Sequence, residues 1–149
     1  MKVKDLMSTN VLTISKDTSV EEIAGILAEN NISGVPVVDE ENRVIGIVTQ
    51  KDLLYKDIKP RFPAVVEILG GMIFLSGVKE YNTELKKLVA TKAEELMTKK
   101  VITISPDSSV EKAAAIMVDK NINRIPVVDE GNHLLGIISR ADIIRSMAK

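Results

Sequence analysis

Two short segments, GIVTQKD at 46–52 and GIISRAD at 136–142, each carry a hydroxyl followed three residues later by an aspartate: Thr49 with Asp52, and Ser139 with Asp142. This spacing suits two jobs. At a helix start, the hydroxyl accepts a free backbone N–H and the acid sits at the positive end of the helix dipole. As a ligand site, the same helix start offers N–H groups and a hydroxyl to a phosphate, while the carboxylate can accept both hydroxyls of a ribose. The two uses are compatible, and the segments alone do not choose between them. Other chemistry finds little support: the chain has no Cys and a single His, so disulfides, thiol catalysis and thiolate metal sites are excluded and imidazole chemistry is restricted.

The elements that position these pairs come from a repeat. At a shift of 90 residues, 6–54 overlays 96–144 without a gap: VLTISKDTSVEE pairs with VITISPDSSVEK, and NISGVPVVDEEN with NINRIPVVDEGN. The runs VLTIS and VITIS suit a short strand, and Thr18-x-x-Glu21 and Ser108-x-x-Glu111 match the capping box that opens a helix. The apolar positions Val20, Ile23, Ala24 and Leu27, repeated as Val110, Ala113, Ala114 and Met117, give that helix one core face. VPVVD and RVIGIVT flank a DEEN turn as two adjacent strands, with DEGN in the second copy, and a last helix begins at Asp52-Leu53-Leu54 and Asp142-Ile143-Ile144. The unit is β-α-β-β-α. A unit of about fifty residues is marginal alone, so the two are expected to pack face to face around a shared core with pseudo-twofold symmetry.

Composition narrows the function classes. The 149 residues are 45% hydrophobic and only 3% aromatic, which predicts an aliphatic core, and the net charge of −1 comes from mixed signs with no basic stripe for nucleic acid. No apolar run reaches the roughly 20 residues of a membrane span, and the first residues lack the apolar segment of a signal peptide, so the expected location is the cytoplasm. His133 stands in a strand-connecting turn where the other copy has Arg43, and a metal role is not expected for it. Asp39-Glu40-Glu41 is read as turn chemistry, not a carboxylate site.

The doubled unit resembles the cystathionine beta-synthase (CBS) domain, which occurs in tandem pairs called Bateman modules. The resemblance is carried by the TIS and D-x-S-V-E strand and helix, the N-I-x-x-h-P-V-V-D-E block (h apolar) and G-h-h-[ST]-x-x-D, present in both copies. It implies an α/β (α+β) fold of two pseudo-twofold-related units packed sheet to sheet. The first unit spans 1–54, the second 93–149, and 55–92 forms a partly helical insert. In that insert, 64–69 reads as a short helix, Met72 to Leu75 as an apolar cover, and the run from Lys79 to Leu96 as helical.

The resemblance also implies clefts for adenosine-type ligands, AMP, ADP, ATP or S-adenosylmethionine, with no required cofactor and no metal. One cleft would combine Ile47, Thr49 and Asp52 with Ile102, Ile122, Asn123, Arg124 and Ile125. The other would combine Ile137, Ser139 and Asp142 with Leu12, Ile32, Ser33, Gly34 and Val35. The aspartates would hold ribose, the apolar members adenine, and Arg124, where the other copy has Gly34, would favour phosphate. The expected role is regulatory and not catalytic: a ligand sensor, homodimeric, acting on an unidentified target protein in trans. The alternative is a constitutive dimerisation or scaffold module with empty or vestigial clefts. A nucleotide hydrolase is disfavoured because no second carboxylate or His converges on either motif in the sequence.

Overall fold

The structure, a computed structural model, describes residues 1–57 and 90–148. The expected short helix at 64–69, the apolar stretch at 72–75 and most of the run from Lys79 lie outside the described residues. The first half runs α1 (Val3–Leu6), α2 (Val20–Glu29), β1 (Gly34–Val38), β2 (Val44–Thr49) and α3 (Gln50–Asp57). The second repeats it as α4 (Ala93–Leu96), α5 (Val110–Lys120), β3 (Arg124–Val128), β4 (Leu134–Ser139) and α6 (Arg140–Met147). Each hairpin is a two-stranded antiparallel sheet, in register from Gly34 opposite Thr49 and from Arg124 opposite Ser139.

The long helices start one residue later than the Thr18 and Ser108 boxes imply. Ser19 accepts the Glu22 N–H and Ser109 the Lys112 N–H, because the preceding residue is committed to a turn closed onto Ser15 or Ser105. Val20, Ile23 and Leu27 are buried, as are Val110, Ala113 and Met117, whereas Ala24 of the expected stripe is exposed. The last helices begin at Gln50 and Arg140, two residues before their aspartates. The expected first strands shrink to one parallel bridge each, Ile14 beside Val37 and Ile104 beside Val127. Their preceding residues are needed elsewhere.

The reason is an exchange between the halves. Ala90, Ala93 and Leu96 pack with Ile14, Ile23, Val35 and Val48 of the first half, while Val3, with Leu6 and Met7 against it, packs with Met117, Ile125 and Ile138 of the second. The core is therefore two clusters, not the single shared one that the repeat suggested, and each is completed by a one-turn helix from the other half. The segments behind these helices add to the recipient sheets, Thr98 bridging Ile47 and Ser8 bridging Ile137. This explains the glycine that opens each motif. Met97 lies where a side chain on Gly46 would go, and a Cβ on Gly136 would meet Ser8 O at 2.7 Å and Met7 Sδ at 2.8 Å.

The two hairpin turns join across the pseudo-twofold axis. Asn42 and Asn132, both left-handed with φ 64° and 67°, leave their side chains free to reach the other turn. Asn42 donates to Leu134 O and Asn132 to Val44 O, while Val44 and Leu134 donate N–H groups to Asn132 O and Asn42 O. Within each turn the first aspartate gathers backbone N–H groups: Asp39 those of Arg43 and Glu41, Asp129 those of His133 and Gly131.

Two outcomes follow. Leu96→Ala should cost about 2–5 kcal/mol in denaturant unfolding, because it empties a core of the other half, and Gly136→Ala about 1–3 kcal/mol through overpacking against a backbone oxygen. The Arg43 and His133 N–H bonds hold Asp39 and Asp129 below the ordinary 3.8. Their stabilisation is present above that value and lost as pH falls through the lowered ones, so carboxyl titration by NMR should give both midpoints below 3.8.

Candidate ligand-binding cleft

Strand β2 alternates strictly: Val44, Gly46 and Val48 are buried, and Ile45, Ile47 and Thr49 are half-buried on the opposite face. Ile47 and Thr49 thus form one wall of a depression, and the chain turns from Thr49 directly into α3. Asp52, 3% exposed, lies in the first turn of that helix. One of its oxygens accepts the Thr49 N–H at 2.9 Å and the Thr49 hydroxyl at 3.3 Å, and the other accepts the Thr98 hydroxyl at 3.4 Å. Thr98 belongs to the exchanged segment. Beyond it the chain crosses to the second half through Lys100, Val101 and Ile102, which close one side. The opposite wall is the end of α5 with the start of β3: Lys120, the left-handed Asn121, Ile122, Asn123 and Arg124. With Ser33, Gln50, Lys51, Leu54 and Pro126 they enclose about 880 Å³.

Seven of the eight residues expected for the first cleft, Ile47, Thr49, Asp52, Ile102, Ile122, Asn123 and Arg124, border this one space. Ile125 points to the other face of β3 and is fully buried in the second core. Of the second set, Val35 is likewise fully buried in the first core, Ile32 packs against that core, and Leu12 is 47% exposed. Ile137, Ser139 and Asp142 are half-buried at the end of β4 and start of α6. Ser33 and Gly34 meet Arg124: the guanidinium donates to the Ser33 hydroxyl, and a Cβ on Gly34 would lie 2.5 Å from Arg124 Nη1. Positions 34 and 124 are equivalent in the repeat, so the glycine makes room near the axis for its own counterpart. Burial lowers the Arg124 pKa from its ordinary value, and among the described residues no carboxylate pairs with it.

The two aspartates share the helix-start geometry and differ in their second oxygen. Asp142 and Ser139 form a reciprocal capping box, with the Ser139 N–H at 2.9 Å from the carboxylate and the Asp142 N–H at 3.2 Å from the hydroxyl. The remaining Asp142 oxygen accepts from Arg145, whereas Asp52 turns the equivalent oxygen toward Thr98 across the exchange. Sequence reasoning did not single out Thr98, Lys51, Lys100 or Lys120. For Thr98 a signal existed, because Ser8 and Thr98 are both hydroxyls at one position of the repeat.

The CBS domain family model matches residues 3–59 and 93–149, three-quarters of the chain. The chain belongs to the CBS-domain family. Its helix and strand order is that of a tandem CBS pair with two small sheets. An uncharacterized protein of Methanocaldococcus jannaschii, MJ1426, is similar at 29% identity over 99% of this chain and 91% of its own length. The CBS pair of protein MJ0100, solved in complex with 5′-methylthioadenosine and S-adenosyl-L-methionine, is similar at 30% identity and TM-score 0.71, covering 99% of both chains. The structure of CBSX2 in complex with AMP has the same fold, with TM-score 0.82 at 24% identity over 99% of this chain and 96% of its own. The chain spans only 32% and 23% of the length of two further relatives. No helix of the described residues is long and apolar enough to cross a membrane.

In this CBS pair, Gly34→Ala should expel the Arg124 guanidinium from Ser33, because the new methyl would lie 2.5 Å from Arg124 Nη1, and it would also press on Val48 O at 3.2 Å. Stability should fall by about 1–2 kcal/mol, and the Arg124 side-chain NMR signals should move to those of a solvated guanidinium.

Proposed function

We propose that this CBS pair is a non-catalytic sensor that binds adenosine-type ligands, AMP, ADP, ATP or S-adenosylmethionine, between its two halves. The observation that carries the reading is the Thr49–Asp52 pair set in the same cleft as Ile47, Ile102 and Ile122: hydroxyl and carboxylate for a ribose, branched aliphatics for a base. The adenosyl compounds in the MJ0100 pair, at 30% identity, support it. Asp52 holds the ribose hydroxyls and Thr49 assists, with Arg124 on the phosphate side and Asn123 at the rim. Among the described lining residues Asp52 is the one carboxylate, so a general acid and base pair has no place there.

The mechanism follows from who supplies the walls. Ile47, Thr49 and Asp52 come from the first half, and Ile102 through Arg124 from the second, so a ligand touching both favours the relative orientation in which its contacts are best. That orientation, in a homodimer in the cytoplasm, is what a target protein reads in trans. The second cleft, built around Asp142 with Ile137, Ser139, Leu12, Ile32 and Gly34, is the weaker site. A constitutive scaffold with an empty cleft has one observation in its favour there, the commitment of Asp142 to Ser139 and Arg145.

A ligand at 100 times its dissociation constant should stabilise the fold by about 2.7 kcal/mol and raise the melting temperature by roughly 5–11 °C. Asp52→Asn keeps the helix-start geometry but loses charge-assisted bonds to ribose. It should weaken binding by about 1.5–3 kcal/mol, measured by calorimetry, with little change in unliganded stability. If no adenosine compound shifts the melting temperature, the scaffold reading replaces this one.

A further inference from the structure

The cleft carries a charge pattern that adenosine alone does not explain. Among the described residues lining it, Lys51, Lys100, Lys120 and Arg124 are cationic and Asp52 is the one anion. Their counterparts 90 positions away are Ala141, Asn10, Asn30 and Gly34, none of them charged. The whole chain has a net charge of −1, so this concentration is local and one-sided. Some cations elsewhere find carboxylates, Lys2 and Lys4 with Asp107, Arg43 with Asp39 and Glu41, Arg145 with Asp142, while among the described residues the exposed Lys16, Lys99 and Lys112 do not, so what sets the cleft apart is that four cations line one space. Among the described residues the four of the cleft have no such partner. The second half does hold Arg140 where the first has Gln50, but Arg140 spends its donors on the Ile122 and Met117 carbonyls at the end of α5.

Four cations around one concave space repel one another and raise the local concentration of anions. A single phosphate carries roughly −1.5 to −2 and one arginine can hold it in a two-bonded fork, which leaves three lysines without a task. Each added phosphoryl group brings a further negative charge. The lysines come from three separate places, the first turn of α3, the crossing segment after Thr98 and the last turn of α5, so they ring the cleft from different sides and do not make one short patch. We propose that this cleft selects nucleotides bearing a chain of two or more phosphates, one per protein chain, and that the Asp142 cleft does not. The inference rests on the adenosine reading for the base and ribose, and adds the phosphate chain.

Calorimetry of the full chain with adenosine, AMP, ADP and ATP, without divalent cations, tests it. Each exposed charge pair contributes a factor of roughly 1.4–5, so the three lysines together should make ATP bind about 3- to 100-fold more tightly than AMP, with one site per chain. The ATP-to-AMP ratio should shrink as salt is raised, because exposed pairs are screened within about 8–10 Å at ordinary ionic strength. The variant Lys51→Gln, Lys100→Gln, Lys120→Gln, at exposed positions where folding is not at stake, should bring the ratio below about threefold. Affinities for AMP, ADP and ATP within about twofold of one another, or two equivalent ATP sites, would overturn the proposal and leave the adenosine reading standing. If no adenosine compound binds, that reading fails, and inorganic tripolyphosphate decides the remainder: saturable binding at one site, lost in the triple variant, upholds a polyphosphate cleft, and no binding ends it.

Discussion

Neither half of this chain can close its own core, and the structure depends on that constraint. A unit with two strands and two long helices leaves one side of the sheet open, and the missing piece, a single helical turn ending in Leu-Met and a hydroxyl, is delivered by the other half. Val3, Ala93 and Leu96 are fully buried as a result. An isolated turn of this length has no stability of its own, so it forms only when docked and the two halves are obliged to fold together.

The exchange also makes the site. Because the chain must travel from the sheet it completes to the unit it belongs to, it passes over the gap between the halves. The residues on that passage, Thr98 with Lys100, Val101 and Ile102, become one wall of the cleft. The same docking puts the Thr98 hydroxyl on Asp52 and seats Met97 over Gly46, so the carboxylate expected to face a ligand is held by the contact that completes the core. Packing and chemistry are coupled through one short segment.

Symmetry sets where the halves meet, and its breaking sets what they can do. The turn-to-turn bonds of Asn42 and Asn132 are reciprocal, as a twofold relation demands. Near the axis the same relation would bring two like side chains at positions 34 and 124 into collision, and glycine in one copy lets arginine occupy the space in the other. From there the two clefts diverge in charge while keeping a common backbone.

The sequence by itself determined the repeat, the helix-hairpin-helix part of each unit, most of the faces that are buried and the two hydroxyl-aspartate pairs, because periods of 2 and 3.6 and turn chemistry are local properties of the chain; it did not show the one-turn helices at Val3–Leu6 and Ala93–Leu96. It also contained the warning that Ile125 and Val35 alternate inward, away from any cleft, since neighbours along a strand face opposite sides. Its local signals were misleading where two neighbours compete: Thr18 and Ser19 both carry hydroxyls, and only the turn closed on Ser15 decides which one caps the helix. Only the tertiary structure decided which core each short helix completes, because Leu6-Met7 and Leu96-Met97 read identically and a hydrophobic pattern reports that a face is buried without saying against what. The same holds for Lys51, Lys100 and Lys120, unremarkable surface residues far apart in the chain, which become one electrostatic feature when the exchange folds three segments around a common space.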